Sequence, residues 1–545
     1  MALKNMYNIC DDHSANLVTI NQEEKMLNIR PYTNKELLLF PASLGDFLPQ
    51  DDFVHVVDEA VETMDLTPYY GKISPVGNPA YDPALMIKIL FYGYATKSYS
   101  SRNIDDKLHK DVAFIFLAGM QKPDFRTISD FRKDNLALLK SSFVEIVQIC
   151  HRLGLTKFGE ISLDSKVMKA NASGENTYDE KELIEEQAEI EKLIQAYLEK
   201  ANQTDLQEDE KHGHDRGGNE LPEDIGKKED RIEKMKKIKE QLKMAQENLK
   251  KSDEKKINLT DSDARFQKDK SRIIPGYRAQ IGVDSQRQII VANDVTNNQN
   301  DAPQLVPMVE KVLENVKELQ RQKLSEREQR KNLIHILADA GYSSGKNLSE
   351  LEKEPYKQKV ESYIPDTNYA NRERGKGYNK DSPFHRSKFI YNQKENSFTC
   401  PAGKILHFIG QHDSHGVLCD VYENTKDCKR CPYYGECTTS KTGRRIQVSE
   451  YQPLIDQMRQ KLSTQDGKRI YALRKITVEP VFGNLAQNLG FRGFLLRGLE
   501  KVSGEFSLMC IAHNLLKIAR HLRGVGKTLH QALNGLQLSP LADTS

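Results

Sequence analysis

The chain has 545 residues, enough for three or four domains of ordinary size, and its 80 Lys and Arg against 78 Asp and Glu leave a net charge of only +2. That excludes a uniformly basic nucleic-acid coat, so any cationic surface must be local. No apolar run approaches the roughly 18 residues of a membrane span, and the start, MALKNMYNIC, lacks a secretory pattern, so a cytoplasmic location is expected. Hydrophobic residues make up 38%, low for a globule, which predicts a long polar segment.

After an N-terminal arm, residues 1–44, the stretch 45–155 reads as helical. Pro83 suits a first helical position before Ala84–Leu90. Ser100 or Ser101 can cap Arg102–Leu108, and Thr127 can cap Ile128–Arg132. Short helices at this spacing allow a DNA-binding helix-turn-helix, the alternative being an ordinary helical packing unit. Phe158–Asp164 then reads as a strand ending in a carboxylate.

The missing hydrophobicity lies between Asn171 and Lys270, where 20 basic and 27 acidic side chains give a local charge of −7 and leave +9 on the rest. Leu183, Ile190, Leu193 and Tyr197 repeat at heptad spacing, and so do Met235, Ile238, Leu242, Ala245 and Leu249. A breaker, His212–Gly218, separates them, so residues 172–271 read as a charged antiparallel helical hairpin, with a disordered linker as the alternative.

Tyr277–Val283 and Gln288–Val295 follow as two strands joined at Asp284–Arg287, then a helix from Ala302 to about Leu319. Leu333–Gly341 is a short apolar strand ending in Asp339. This order is that of a mixed α/β layer. Asp164, Asp339 and Glu479, which opens a helical segment, would make an oxygen-only set suited to Mg²⁺ or Mn²⁺ and to phosphoryl transfer, the alternative for each acid being a helix cap, a turn or surface charge.

About 140 residues separate Asp339 from Glu479, too many for a loop. The stretch 346–469 is therefore expected to be an insertion domain, and it holds Cys400, Cys428, Cys431 and Cys437. The Cys428-x-x-Cys431 spacing suits a structural four-sulfur Zn²⁺ site, while Cys419, His412 or His415 could replace one of the four. Reduced, unliganded thiols are the alternative. Lys404, Lys426, Lys429, Arg430, Lys441, Arg444 and Arg445, with Tyr433 and Tyr434, would suit a DNA backbone surface. Gly524–Thr528 lacks the first glycine of a phosphate loop, since His521 stands there, and no nucleotide hydrolysis is expected.

Ile161–Lys166, Ala338–Ser344 and Arg474–Gly483 together resemble the acidic triad of bacterial insertion-sequence transposases with a ribonuclease H-like core. Pro123–Arg132 resembles the N-terminal region of the branch numbered eleven-eighty-two, and the likeness runs from about residue 35 to 520. The resemblance implies an α/β fold with a ribonuclease H-like mixed-sheet core from residues 156–171, 272–345 and 470–525. Around it would stand the helical N-terminal domain, the helical-hairpin insertion, the zinc-knuckle insertion and a tail, 526–545.

It further implies metal ligation by Asp164, Asp339 and Glu479, cleavage of transposon ends by water, and attack of the freed 3′-hydroxyl on target DNA by at least a homodimer at the bacterial nucleoid. Tyr471 and Arg474 match the family's pattern, but Lys475, not Arg474, stands at its usual spacing from Glu479, and Ala486 replaces a trailing lysine. Tyr471, Arg474, Lys475, Arg492 and Arg497 are accordingly the expected DNA contacts, solvated surface charge being the alternative for Arg492 and Arg497. The chain has no tryptophan, so a flipped base would stack on Tyr, Phe or Arg. A DNA-binding relative without catalysis, such as a repressor of transposition, and a nuclease without strand transfer are the competing functions.

Overall fold

The computed structural model describes residues 44–535 apart from 75, 77–78, 213–222, 252–253, 270, 321–332, 368, 370–381 and 415. The arm before Leu44, the breaker from Gly213 to Gly218, His415 and the tail beyond 535 lie outside the described residues. Met1–Pro49 and Gln50–Ser545 are separate units, and the described part of the first holds one 3-10 turn, Leu44–Phe47. Everything below concerns the second.

Its main sheet is built around β1 (Glu160–Lys169). The other strands are β2 (Arg265–Asp269), β3 (Arg272–Asp284), β4 (Ile290–Thr296), β5 (Ile334–Leu337) and β6 (Val360–Tyr363). β3 runs antiparallel to β1 from Ile161↔Asp284 to Lys169↔Gly276, and its far edge takes β4 and β2, both antiparallel. On the other side β5 pairs parallel with β1 from Glu160↔His335 to Ser162↔Leu337, and β6 pairs parallel with β5. The sheet is therefore mixed. Ile334, Ile336, Leu337 and Ala338 are all buried, as a strand covered on both faces requires. β6 joins this sheet from inside the stretch 346–469, which the sequence assigns whole to the cysteine-bearing insertion.

Besides a single turn at Thr67–Tyr70, the helices that precede the sheet among the described residues are α1 (Phe53–Glu62), α2 (Pro83–Ala95), α3 (Ser101–Leu108), α4 (Val112–Leu117), α5 (Phe125–Asp134) and α6 (Leu136–Arg152). Pro83 is the first residue of α2, and Ser100 caps α3 by accepting from Asn103 N at 3.1 Å. The cap of α5 is Asp124, not Thr127, because the Asp124 carboxylate accepts from Thr127 N at 2.7 Å. An aspartate three residues upstream captures the amide of the candidate cap.

The charged insertion is a hairpin of α7 (Glu180–His212) and α8 (Glu223–Lys251), antiparallel because Glu180 pairs with Lys250 and Gln187 with Gln246. Leu183, Ile190, Ile194, Leu242, Ala245 and Leu249 fill its seam. Leu193 and Ile238, assigned to the seam by heptad counting, are each 44% exposed. A helix of 3.6 residues per turn drifts off a strict repeat, which brings Ile194 inward instead of Leu193.

After α9 (Leu305–Gln320) and β6, a second, antiparallel sheet carries β7 (Ile390–Asn392), β8 (Ser397–Thr399), β9 (Ile405–Asp413), β10 (Leu418–Glu423) and β11 (Arg445–Ser449) in sequence order. The chain returns to the main sheet through α10 (Gln452–Ser463), α11 (Gln465–Thr477) and α12 (Glu479–Gly483). It then reaches α13 (Leu499–Val525).

α13 is buried continuously from Val502 to Leu515, with β4 on one side and α2 and α6 on the other. Asn514 fits the edge of β4, accepting from Ile290 N at 3.0 Å and donating to Ile290 O at 2.8 Å. Glu505 is fully buried and accepts from Leu495 N, Leu496 N and the Tyr94 hydroxyl, while Arg132 donates to that hydroxyl at 3.1 Å. The helical N-terminal region and the sheet thus share one core through α13. Gly524 and Val525 close α13 rather than follow a strand, so the phosphate-loop reading stays excluded. No helix among the described residues is long and apolar enough to cross a membrane.

Candidate active site

Asp164 is the fifth residue of β1, not its last as the sequence suggests, because β3 continues alongside it to Lys169. Its position follows from register. The last β1–β5 pair is Ser162↔Leu337, so Asp164 and Asp339 each follow it by two residues, Asp164 still on β1 and Asp339 just past the end of β5. Asp339 caps a 3-10 turn, Ala340–Tyr342, accepting from Gly341 N at 2.8 Å. A Cβ at Gly341 would lie 2.9 Å from Asp339 Oδ1 and 3.3 Å from Asp301 Oδ2, so only glycine lets this turn pass between the two carboxylates.

Asp301 is a fourth acid of the cluster. Arg278 Nη1 donates to it at 2.8 Å and Gln280 Nε2 at 3.0 Å, and Gln280 in turn accepts from the Tyr342 hydroxyl. Its only sequence signal is the end of a polar run, Asn297–Asp301, before a helix, which reads as an ordinary loop and cap.

Glu479 is the first residue of α12, with Pro480 behind it in the first turn. α11 stops at Thr477, and the break resets the helical phase. Arg474 therefore reaches forward five residues, its guanidinium 3.6 Å from Glu479 Oε1 and 3.7 Å from Asp164 Oδ2. Only 8% of Arg474 is exposed, and its Nε has no partner. Lys475, at the usual family spacing, points to solvent. Tyr471, half-buried, contacts Arg474 rather than an open surface.

Electrostatically the cluster is frustrated. Burial pushes the Asp164 carboxyl up to about 7; Arg474 opposes this, while Asp339 and Asp301 add to it. Burial alone would lower the Arg474 guanidinium, yet Asp164, Tyr471 and Asp339 hold it above its ordinary value. The cluster thus sets four carboxyl groups against two arginines, Arg474 and Arg278, and hard oxygen donors of this kind suit Mg²⁺ or Mn²⁺. Even so, among the described residues no group of three His, Cys, Asp or Glu side chains stands close enough to hold a metal ion.

The same holds for the cysteines, and the closed four-sulfur cage expected from their spacing is not formed. Cys400, Cys428, Cys431 and Cys437 do line one cavity of about 20 Å³ with Phe384, Tyr433, Tyr434 and Arg444. Burial raises the Cys437 thiol, Arg444 lowers it, and the other three sulfurs raise it further. Cys419 and His412 are not among the lining residues.

Arg492 and Arg497 are exposed and border a groove of about 880 Å³ with Lys169. Arg497 Nε also donates to Asn171 O at 3.1 Å. Lys169 is five residues along β1 from Asp164, roughly 16 Å. These arginines therefore stand along the sheet from the acids rather than over them.

Residues 399–519 match the family model described as transposase DDE domain, and residues 42–134 match the one described as transposase domain DUF772. The chain carries two transposase-family segments. Both are typical of bacterial insertion-sequence transposases. The first spans Arg474, Glu479 and most of α13 as well as the four clustered cysteines, and the second covers most of the N-terminal helices. No curated protein and no solved structure matches the chain.

Proposed function

We propose that the protein is a DNA transposase of the acidic-triad type, with Asp164, Asp339 and Glu479 as its metal ligands. The transposase DDE domain supports a transposase function, a DNA substrate and the use of a divalent metal. The observation that carries the residue assignment is the meeting of Asp164 and Glu479 at one buried guanidinium, with Asp339 following the neighbouring parallel strand and acting on the Asp164 charge. The strand order β4-β3-β1-β5-β6, with β3 and β1 antiparallel and β1, β5 and β6 parallel, supports a ribonuclease H-like core.

In this reading a divalent cation, when bound, supplies charge neutralisation at the scissile phosphate and a more acidic attacking water or 3′-hydroxyl. The chain's own part is positioning. Gly341 N fixes the Asp339 carboxylate, Arg278 and Gln280 fix Asp301, and Arg474 orients Asp164 and Glu479 toward each other. Arg492, Arg497 and Lys169 hold a more distant phosphate of the same DNA, and strand transfer of two ends is the work of at least a homodimer. Cys400, Cys428, Cys431 and Cys437 line one cavity without closing a cage, and would have to draw together to hold a structural zinc there.

One second reading has an observation in its favour. Arg474 already pairs two of the acids, and no three-ligand group is formed, which suits a DNA-binding relative without catalysis. Calorimetric titration with Mn²⁺ separates the two. The transposase reading expects saturable binding that Asp164→Asn and Asp339→Asn each weaken at least tenfold; wild-type protein that takes up no Mn²⁺ supports the binder.

A further inference from the structure

Behind Glu479 lies a second pocket that none of the assignments above uses. It has a volume of about 710 Å³ and is bordered by the end of α2, the turn between β3 and β4, residues 484–489 and the last third of α13. Four cations line it: Lys97, Lys517, Arg520 and Arg523. Arg523 meets Asp51 at 3.3 Å, but Lys97 and Arg520 have no ion-pair partner among the described residues. Burial, together with Arg520 and Arg287, holds the Lys517 ammonium below its ordinary value, so the cations there repel one another.

Three backbone irregularities border the same space. Lys97, one residue past the C-cap of α2, sits at φ +65°, a left-handed position where glycine is the unstrained choice, and Gln288 sits at φ +59°. Asn484–Asn488 is a single π-helical turn, a feature concentrated at functional sites. The pocket is also rigidly built. Gln288 accepts from Lys517 Nζ at 2.9 Å and donates to Ile476 O at 2.9 Å. Buried His513 donates through Nε2 to Gln288 O at 2.9 Å and accepts through Nδ1 from Asn484 at 3.0 Å.

We propose that this pocket is a phosphate-binding site that grips the sugar–phosphate backbone of duplex DNA through Lys97, Lys517, Arg520 and Arg523, next to Glu479 in the chain. The inference rests on the transposase reading. Lys517, Arg520 and Arg523 follow at i, i+3 and i+6 on α13, a row of charges with about 4.5 Å of rise per step, which suits a string of phosphates better than one small anion. Pro480 lines the pocket and is the residue after Glu479, so DNA held here passes the acids.

The test is the salt dependence of duplex binding by the full chain, read by fluorescence anisotropy. Each lost phosphate contact lowers the slope of log K against log[salt] by about 0.9. Lys97→Ala/Arg520→Ala is expected to lower it by about two and to weaken binding uniformly across sequences, whereas Lys181→Ala/Lys234→Ala on the hairpin leaves it unchanged. Should the double variant fold poorly, Arg520→Gln alone is expected to lower the slope by about one. Wild-type binding with an unchanged slope in these variants overturns the proposal alone. Loss of inorganic phosphate binding without a change in the duplex slope marks a free-anion site and overturns the DNA assignment. A wild-type chain that binds no duplex overturns the transposase reading itself.

Discussion

His513 provides a quantitative check on the packing that supports the site. It is 1% exposed, and burial, reinforced by Lys517 and Arg520 and opposed by the hydrogen bond to Gln288, lowers its pKa from 6.5 to about 4. The folded protein therefore takes up this proton later than the unfolded chain does. The stabilisation is complete above pH 6.5 and is lost as the pH falls from there toward 4. At about 1.36 kcal/mol per pKa unit the full effect is about 3 kcal/mol, of which about 2 kcal/mol falls between pH 7 and pH 5. His513→Gln keeps a donor and an acceptor but cannot titrate. With no tryptophan in the chain, urea unfolding is followed by far-UV circular dichroism. Wild type is expected to lose about 2 kcal/mol more than His513→Gln between pH 7 and pH 5, and equal losses refute the assigned neutral, hydrogen-bonded imidazole.

Glu505→Ala strips the acceptor from two backbone amides and the Tyr94 hydroxyl and leaves Arg132 without its charge partner, so a loss of about 3 kcal/mol in unfolding free energy is expected; a change below about 0.5 kcal/mol contradicts the shared core. Leu242→Ala opens the seam of the hairpin and is expected to cost about 2–5 kcal/mol locally, so hydrogen exchange quickens in α7 and α8 while β1 and β5 stay protected. Exchange that quickens equally everywhere argues against an autonomous hairpin. Purified wild type is expected to carry one zinc per chain by elemental analysis and Cys428→Ser substantially less; equal content removes zinc from the cysteines.

Much of the sheet was legible because burial leaves a local trace. The run Leu333–Ala338 and the two strands on either side of Asp284–Arg287 declare themselves through apolar pattern and turn chemistry, although β5 stops at Leu337 and Asp339 caps the turn after it rather than ending the strand. Asp164 was found as a residue but misplaced as a strand end, since nothing local says how far β3 accompanies β1. Asp301 went unseen because its role comes from Arg278 and Gln280 on another strand.

Spacing also misled at Arg474. Counting along one ideal helix favours Lys475, whereas the break at Val478 and Pro480 turns Arg474 inward, and that break shows in the sequence only as one proline. β6 was missed for a similar reason. Val360–Tyr363 is four residues long and has meaning only beside β5.

The proposed function stands or falls with Asp164, Asp339 and Glu479 as a metal-dependent DNA-cleaving site. Its most direct test is cleavage of a labelled plasmid carrying the flanking ends of the protein's own element, in Mg²⁺ or in EDTA, by wild type and by Asp339→Asn. Cuts at the ends that require both Mg²⁺ and Asp339 are expected, with DNA binding kept in the variant. End-specific cleavage that persists in Asp339→Asn contradicts that assignment.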